Sequence, residues 1–252
     1  ELTINNITYG EPAVKVNANG EWSFVLPIEL DDGEYRIDVV AIDQAGNRTE
    51  ETLNIEIDNS VFLNANLKAS SDTGADNTDG ITSDQTPEYE GSADAGSTIT
   101  FTVNGKSYTA ISDENERWEL AITDPLPEGN HTITITVEDK AGNTKSFQDE
   151  ITIDRTAELS GGLDASSDTG ISNSDKITSD KSPLFTGLSE KGAVVTVTIN
   201  GVSQSVEVKD DKSWAIQWDT VLLDGRHKIE FSVLDIAGNT SSFIEYVTVD
   251  TS

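Results

Sequence analysis

The chain has 252 residues, too many for one small β-sandwich of about 100 residues and enough for two or three of them. Its 46 acidic residues against 16 basic residues give a net charge of −30, which argues against nucleic acids and anionic membranes as partners, because both need clusters of lysine and arginine. The charge favours cations or a strongly solvated surface. The chain has no cysteine and no apolar stretch long enough to cross a membrane, which excludes disulfides and membrane insertion by this segment.

An internal repeat of 96 residues runs through the chain. Its markers are Trp22, Trp118 and Trp214, each followed by an Asp-x-Ala-Gly-Asn string and a closing aspartate at the same step. The repeat predicts three units, 1–58, 59–154 and 155–252. The first unit begins at the equivalent of residue 97 and lacks two of the seven strands predicted for a complete unit. We therefore expect it to be a partial domain and the least stable of the three.

The residue pattern within each unit has a period of two, which is typical of half-buried strands. Ile99, Phe101 and Val103 alternate with threonines, and turn signals such as Asn104-Gly105 separate the runs. No segment has the start, stop or apolar stripe of a helix. The pattern predicts all-β, tandem immunoglobulin-like β-sandwiches arranged as an elongated rod. The strands of the second unit are predicted near residues 61–68, 87–92, 98–104, 106–112, 117–122, 131–138 and 145–153.

Catalytic chemistry has little support in the sequence. His131 and His227 occupy the same repeat position, where the first unit has Tyr35, so a tolerant strand position explains them better than catalysis. No nucleophile elbow, phosphate-binding glycine loop or zinc-protease string is present. We expect the chain not to be an enzyme.

Recurrent acidic residues lie in loops that strand alternation places where consecutive units meet. The loop between the sixth and seventh strands lies at the pole where a unit begins, and the last strand ends at the opposite pole. Two bare carboxylates 4 Å apart repel by about 4 kcal/mol at an effective dielectric near 20, so such clusters are either solvated or filled by a cation. Oxygen ligands without histidine or cysteine favour Ca²⁺. The predicted ligands so gathered are Asp58, Asp94 and Asp139 at the first junction, and Asp154 and Asp235 at the second, where Glu190 stands at the repeat position of Asp94.

A second acidic cluster lies in the loop after the first strand of each complete unit. Asp72 and Asp79 recur as Asp168 and Asp175, which makes these four the predicted ligands of a calcium ion inside each domain. The alternative is that aspartate and glycine simply build turns there.

Several strings of the third unit resemble a known pattern: residues 163–170 (LDASSDTG), Asp224-Gly225, residues 235–239 and the closing 247–250. They are similar to the bacterial Ig-like repeats of giant non-fimbrial adhesins exported by type I secretion, and the resemblance covers essentially the whole chain. It implies an all-β rod with calcium at domain junctions and often inside domains, and attachment to host cells or surfaces. Carried over, the closing aspartates are Asp58, Asp154 and Asp250, and the Asp-x-Ala-Gly-Asn loops begin at Asp43, Asp139 and Asp235.

Three functions suit a chain of tandem β-sandwich domains. The first is a monomeric, calcium-stiffened stalk segment of a secreted adhesin at the bacterial cell surface, whose partners are calcium ions and neighbouring domains of the same chain. The second is a set of units that themselves bind a host receptor or glycan, which requires an exposed patch around residues such as Phe62, Tyr89 or Trp218. The third is a cadherin-like ectodomain, which is disfavoured because this sequence lacks the Asp-x-Asn-Asp-Asn strings of that class.

Overall fold

The computed structural model describes residues 2–9 and 14–252, and this part of the chain contains twenty β-strands and no helix. The predicted all-β class and the tandem immunoglobulin-like units are thereby confirmed. Unit 1 (1–58), unit 2 (59–154) and unit 3 (155–252) each form their own sheets, and no strand pairs across a unit boundary in the described residues.

Unit 2 is a sandwich of two sheets, one of three strands and one of five. The first has the order β10-β7-β5 and the second β6-β12-β11-β8-β9. All its pairs are antiparallel except that of β6 with β12, which is parallel. Its strands are β5 (Leu63–Leu67), β6 (Ile81–Thr82), β7 (Glu88–Ala93), β8 (Thr98–Val103), β9 (Lys106–Ile111), β10 (Arg117–Ala121), β11 (Gly129–Glu138) and β12 (Thr144–Ile153).

Unit 3 repeats this topology, with sheets in the order β13-β15-β18 and β14-β20-β19-β16-β17. Seven of the eight strands in each unit lie where the sequence pattern predicts them. The eighth, β6 or β14, has only two residues and was not predicted. The strands of unit 3 are β13 (Leu159–Leu163), β14 (Ile177–Thr178), β15 (Leu184–Ser189), β16 (Val194–Ile199), β17 (Val202–Glu207), β18 (Ser213–Gln217), β19 (Gly225–Leu234) and β20 (Thr240–Val249).

Aromatic side chains from the two sheets fill the core of each complete unit. Phe101 of β8 lies with its ring centroid 4.9 Å from that of Tyr89 and 5.7 Å from that of Trp118, both of which belong to the opposite sheet. Gly91 makes room for the indole, because a Cβ at this position would lie 2.6 Å from Trp118 Cζ2. This spacing of large and small residues explains why the tryptophan repeats together with the glycine of β7.

Unit 1 has one sheet in the described residues, of order β2-β1-β3-β4. Its Trp22 is 48% exposed, whereas Trp118 and Trp214 are 3% and 1% exposed. Trp22 lies outside the strands of unit 1, and the described residues of this unit form no second sheet to bury it. The strands are β1 (Leu2–Ile4), β2 (Ile7–Tyr9), β3 (Gly33–Ile42) and β4 (Arg48–Ile57).

The accessible surface of the chain is large for its mass. It amounts to 15180 Å², whereas a single compact protein of 27.1 kDa exposes about 11,000 Å² by the usual scaling. The excess is expected for a chain divided into separate small units that share little surface with their neighbours.

Candidate metal centre

The Asp-x-Ala-Gly-Asn loop is held together by its own aspartate. In unit 3, Asp235 Oδ1 accepts the backbone N–H of Asn239 at 2.7 Å, and Oδ2 accepts the side-chain amide of the same asparagine at 2.9 Å. Gly238 sits at φ +88° and closes the turn. Asn239 Nδ2 also donates to the backbone carbonyl of Asp154, the closing residue of unit 2, at 2.8 Å. The loop therefore joins two units directly.

Three carboxylates from two units gather beside this contact. Asp154 belongs to unit 2, whereas Glu190 and Asp235 belong to unit 3, and one oxygen of each lies within 4.8 Å of the others. Among the residues that the structure describes, they form the one group of three or more acidic, histidine or cysteine side chains close enough to share an ion. This is the juxtaposition of Asp154 with Asp235 that strand alternation predicts, with Glu190 as a third member.

The electrostatics of this cluster are those of an anionic site short of positive charge. Burial, together with the neighbouring charges of Asp154, Asp235 and Glu158, raises the pKa of Glu190 to about 7. Burial also raises the pKa of Asp154, and Asp235 and Glu128 add to the effect. Glu190 Oε2 is buried and has no hydrogen-bond partner among the described residues. A buried oxygen without a donor fits a cation ligand, and the set of carboxylate oxygens suits Ca²⁺.

A further contact between units 2 and 3 fixes the same junction. Thr73 Oγ1 donates to the backbone carbonyl of Ala237 at 2.6 Å. The Cα and N of Gly74 would lie 3.2 Å from a Cβ added at Gly238, and a Cβ on Gly74 itself would lie 2.0 Å from the carbonyl oxygen of Ile236. The loop after the first strand of unit 2 thus packs backbone to backbone on the Asp235 loop.

The first junction has the same backbone contact and a different arrangement of carboxylates. Asn143 Nδ2 donates to the carbonyl of Asp58 at 3.0 Å. The backbone N–H and the side-chain amide of Asn143 also donate to the carboxylate of Asp139. Asp94 stands at the repeat position of Glu190, and its Oδ2 accepts the N–H of Phe62 at 3.0 Å. Its side chain is one methylene shorter than that of glutamate. Among the described residues, Asp94 belongs to no group of three or more acidic, histidine or cysteine side chains close enough to share an ion.

The two predicted junction ligands at the outer positions have no neighbouring unit within this chain. Asp43 is exposed and caps its own loop through hydrogen bonds from Asn47, which lower its pKa. Asp250 is exposed, and hydrogen bonds from Ser252 lower its pKa. Asp43 stands at the repeat position of Asp235, and Asp250 stands at that of Asp154. Within this chain neither has the adjacent unit that would supply the other carboxylates of a junction.

The predicted ligands inside the domains divide into a buried and an exposed pair. Asp72 and Asp168 are 4% and 5% exposed; Oδ2 of each accepts one backbone N–H, and Oδ1 of each has no partner in the described residues. Burial raises the pKa of Asp72, and the charges of Asp79 and Asp76 raise it further. Asp79 and Asp175 are exposed and accept a backbone N–H at the start of the next short strand.

Several residues at the second junction were not predicted as site residues. Asn239, Thr73 and Gly74 make the contacts between units, and Glu190 contributes a carboxylate to the cluster. Of these residues, Asn239 could have been predicted from the sequence, because it recurs together with Asp235 in every repeat. The aromatic residues considered for a receptor surface are mostly in the core: Tyr89 and Trp218 are at most 1% exposed, and Phe62 is 38% exposed. His131 and His227 are nearly buried, and each places Nε2 against a backbone carbonyl.

Comparison with protein families finds one match. The family described as bacterial Ig-like domain matches residues 1–59, 61–155 and 156–251, so three copies cover almost the whole chain. Comparison with curated protein sequences finds no match. No helix in the described part of the chain is long and apolar enough to cross a membrane.

Several solved structures are similar in part. One is the tetra-tandem repeat in the extending region of a large adhesion protein, with 22% identity, 94% of this chain and 62% of that chain covered, and a TM-score of 0.38. Another is a Ca²⁺-stabilized adhesin that helps an Antarctic bacterium reach out and bind ice, with 23% identity, 100% and 65% coverage, and a TM-score of 0.37. A 1.5-MDa bacterial ice-binding adhesin has 20% identity, 98% and 84% coverage, and a TM-score of 0.38. The chain thus spans less than two thirds of the first two.

Proposed function

We propose that this chain, which belongs to the family of bacterial Ig-like domains, is a calcium-stiffened stalk segment of a giant secreted adhesin that attaches a bacterium to host cells or surfaces. One observation carries the proposal. Asp154 of unit 2 and Glu190 and Asp235 of unit 3 bring three carboxylates together across a domain boundary, and one buried oxygen of Glu190 has no donor.

The residues of the junction have separate tasks in this proposal. Asp235 and Asn239 shape the loop, and Asn239 holds the closing carbonyl of unit 2. Asp154, Glu190 and Asp235 supply anionic oxygens from both sides of the boundary. A calcium ion bound there supplies two positive charges and accepts oxygen ligands from both units at once. Opening the hinge then separates the ligands, so the bound state resists bending.

The expected free energy of calcium binding is large enough to restrict a hinge between domains but small compared with the stability of a domain. Extracellular calcium modules bind with dissociation constants of about 10⁻⁴–10⁻³ M. Calcium at ten times the dissociation constant stabilises the bound state by about 1.4 kcal/mol per site, a tenfold shift in the hinge equilibrium. Such a contribution is small beside the stability of a domain but sufficient to restrict the angle between two of them.

The remaining predicted ligands are kept as proposals. At the first junction, a cation would draw together side chains that now hydrogen bond to nearby backbone groups, and at the outer positions the missing ligands would come from further units. Export, the cell-surface location and a monomeric, non-catalytic stalk also belong to the proposal. The ligands concerned are Asp43, Asp58, Asp94, Asp139 and Asp250 at junction positions and Asp72, Asp79, Asp168 and Asp175 inside the domains.

Calorimetric titration of calcium tests the junction site with a matched pair of variants. Asp154→Asn removes a carboxylate of the cluster, whereas Asp250→Asn alters the same repeat position where no following unit lies in the chain. We expect Asp154→Asn to eliminate one binding event or weaken it at least tenfold, and Asp250→Asn to leave that event unchanged. Equal titrations for both variants and the parent chain would contradict the proposed site.

A further inference from the structure

The pocket beneath the loop after β5 differs between units 2 and 3 in its charge. In unit 2, a cavity of about 300 Å³ is lined by Asp72, Asp79, Asp149 and Glu150, together with the neutral Tyr89 and Gly80. None of the residues that line it is basic. Tyr89 donates its hydroxyl to Asp149 Oδ2 at 3.1 Å, which places a carboxylate and a hydroxyl on the wall facing the loop.

The equivalent place in unit 3 contains an ammonium group. Lys176 stands at the repeat position of Gly80, and its Nζ lies 2.6 Å from Oε2 of Glu245, which stands at the position of Asp149. The side chain of Glu245 is 9% exposed, and its Oε1 accepts the N–H of Leu163 at 3.1 Å. Phe185 replaces Tyr89, so the hydroxyl is also absent. Unit 3 therefore has, in place of the acidic pocket, an ion pair in which Glu245 is nearly buried and Lys176 is about half exposed.

The backbone at Gly80 and at Lys176 is similar, which makes these two positions a matched pair. Gly80 N–H donates to Asp72 Oδ2 at 3.2 Å, and Lys176 N–H donates to Asp168 Oδ2 at 3.0 Å. Gly80 has φ +71° and Lys176 has φ +61°, so a lysine adopts this backbone conformation within the same fold. The units therefore differ at this position mainly in what the side chain delivers to the pocket.

We propose that the pocket of unit 2 is the stronger divalent-cation site of the two domain interiors, with Asp149 as a ligand beside Asp72 and Asp79, and that the Lys176 ammonium replaces the cation at Glu245 in unit 3. The second observation behind it is the buried Oδ1 of Asp72, which has no partner among the described residues. Asp168 Oδ1 in unit 3 has none either, and Lys176 contacts Glu245 instead. Unit 3 thus keeps Asp168 and Asp175 at the ligand positions but carries the positive charge of Lys176 beside them, which weakens cation binding there.

This inference rests on the proposed calcium binding inside the domains, and it does not use the junction carboxylates. Its ligand is a hard divalent cation, since the donors are carboxylate, hydroxyl and amide oxygens. The cavity exceeds the volume of a bare ion and has room for water molecules that complete the coordination of six to eight oxygens.

Reciprocal substitutions in the full chain test the inference by calcium calorimetry. Gly80→Lys should weaken the unit 2 site at least tenfold, whereas Gly80→Asn, which also tolerates positive φ, should change it less than threefold. Lys176→Gly should strengthen binding in unit 3 at least tenfold. Thermal unfolding at saturating calcium checks that each variant is folded. If Gly80→Lys does not fold, Asp149→Asn tests the same site, and it should also weaken calcium binding in unit 2.

The outcomes separate this proposal from the junction site. Loss of the same binding event in Asp154→Asn and in Gly80→Lys would overturn it, because one site would then account for both. Unchanged calcium affinities in Gly80→Lys and Lys176→Gly would also overturn it. If Asp154→Asn changes nothing while Gly80→Lys removes a binding event, the junction site fails and the pocket of unit 2 remains.

Discussion

At the scale of single residues, the side chains at one acidic repeat position differ by one methylene between the two junctions. Glu190 reaches the closing aspartate and the loop aspartate of the second junction, whereas Asp94 at the same repeat position hydrogen bonds to the backbone of Phe62. The repeat alone showed both residues at the correct pole. It did not show which carboxylate reaches the cluster, because side-chain length acts only once the loops have their three-dimensional positions.

The raised pKa of Glu190 predicts a pH dependence for the calcium-free protein. Its pKa is about 7 in the folded chain, above the ordinary 4.5, so between these values the folded state binds more protons than the unfolded state. The free energy of unfolding therefore falls as the pH rises from about 4.5 to about 7. Below pH 4.5 this group adds nothing to the pH slope, because it is protonated in both states. Differential scanning calorimetry of calcium-free protein across this range measures the slope.

Glu190→Gln should reduce that slope. Some slope remains in Glu190→Gln, because the pKa of Asp154 is raised as well. An identical pH slope in Glu190→Gln and the parent chain would show that Glu190 is not a buried acid in solution.

At the scale of strands and loops, periodicity predicted most of the architecture. Seven strands per unit follow from alternation, and Asn104 and Gly105, both with positive φ, form the predicted hairpin turn. The strand β6 escaped prediction because two residues carry no measurable period. The contact of Thr73 and Gly74 with unit 3 escaped it because the contact depends on how two units are oriented, which no local pattern encodes.

The tryptophans provide a prediction about the completeness of each unit. Trp118 is 3% exposed and packs against Phe101, so Trp118→Ala should cost roughly 3–5 kcal/mol of unit 2 stability. Trp22 is 48% exposed, so Trp22→Ala in unit 1 should cost less than about 1.5 kcal/mol. Urea unfolding of the two variants measures the difference. Similar losses for both would mean that Trp22 is covered in solution.

Gly74 provides a prediction about the loop that packs on the second junction. Gly74→Ala places a Cβ only 2.0 Å from the carbonyl oxygen of Ile236 and should force the two units apart. Gly170→Ala is the matched control, since Gly170 also has positive φ but its Cβ would meet nothing nearer than 3.9 Å. Both variants carry backbone strain of about 1 kcal/mol or more. Small-angle X-ray scattering should show a changed radius of gyration in Gly74→Ala only; equal curves would contradict the packing.

At the scale of the whole molecule, the chain consists of small β-sheet units joined by narrow contacts. Its surface of 15180 Å² exceeds that of a single globule of equal mass, and each junction depends on an asparagine bond and a few loop residues. A net charge of −30 makes neighbouring units repel at low ionic strength. The stiffness of such a chain is therefore decided at the junctions and not in the cores.

The distance between units 2 and 3 in solution tests this account most directly. The chain has no cysteine, so Ser107→Cys and Ser203→Cys, at matched exposed positions of β9 and β17, accept one spin label each. Double electron–electron resonance should give a narrow distance distribution in calcium and a broad one in chelator, with Glu190→Gln broad in both. Distributions of equal width with and without calcium would contradict calcium stiffening of the junction.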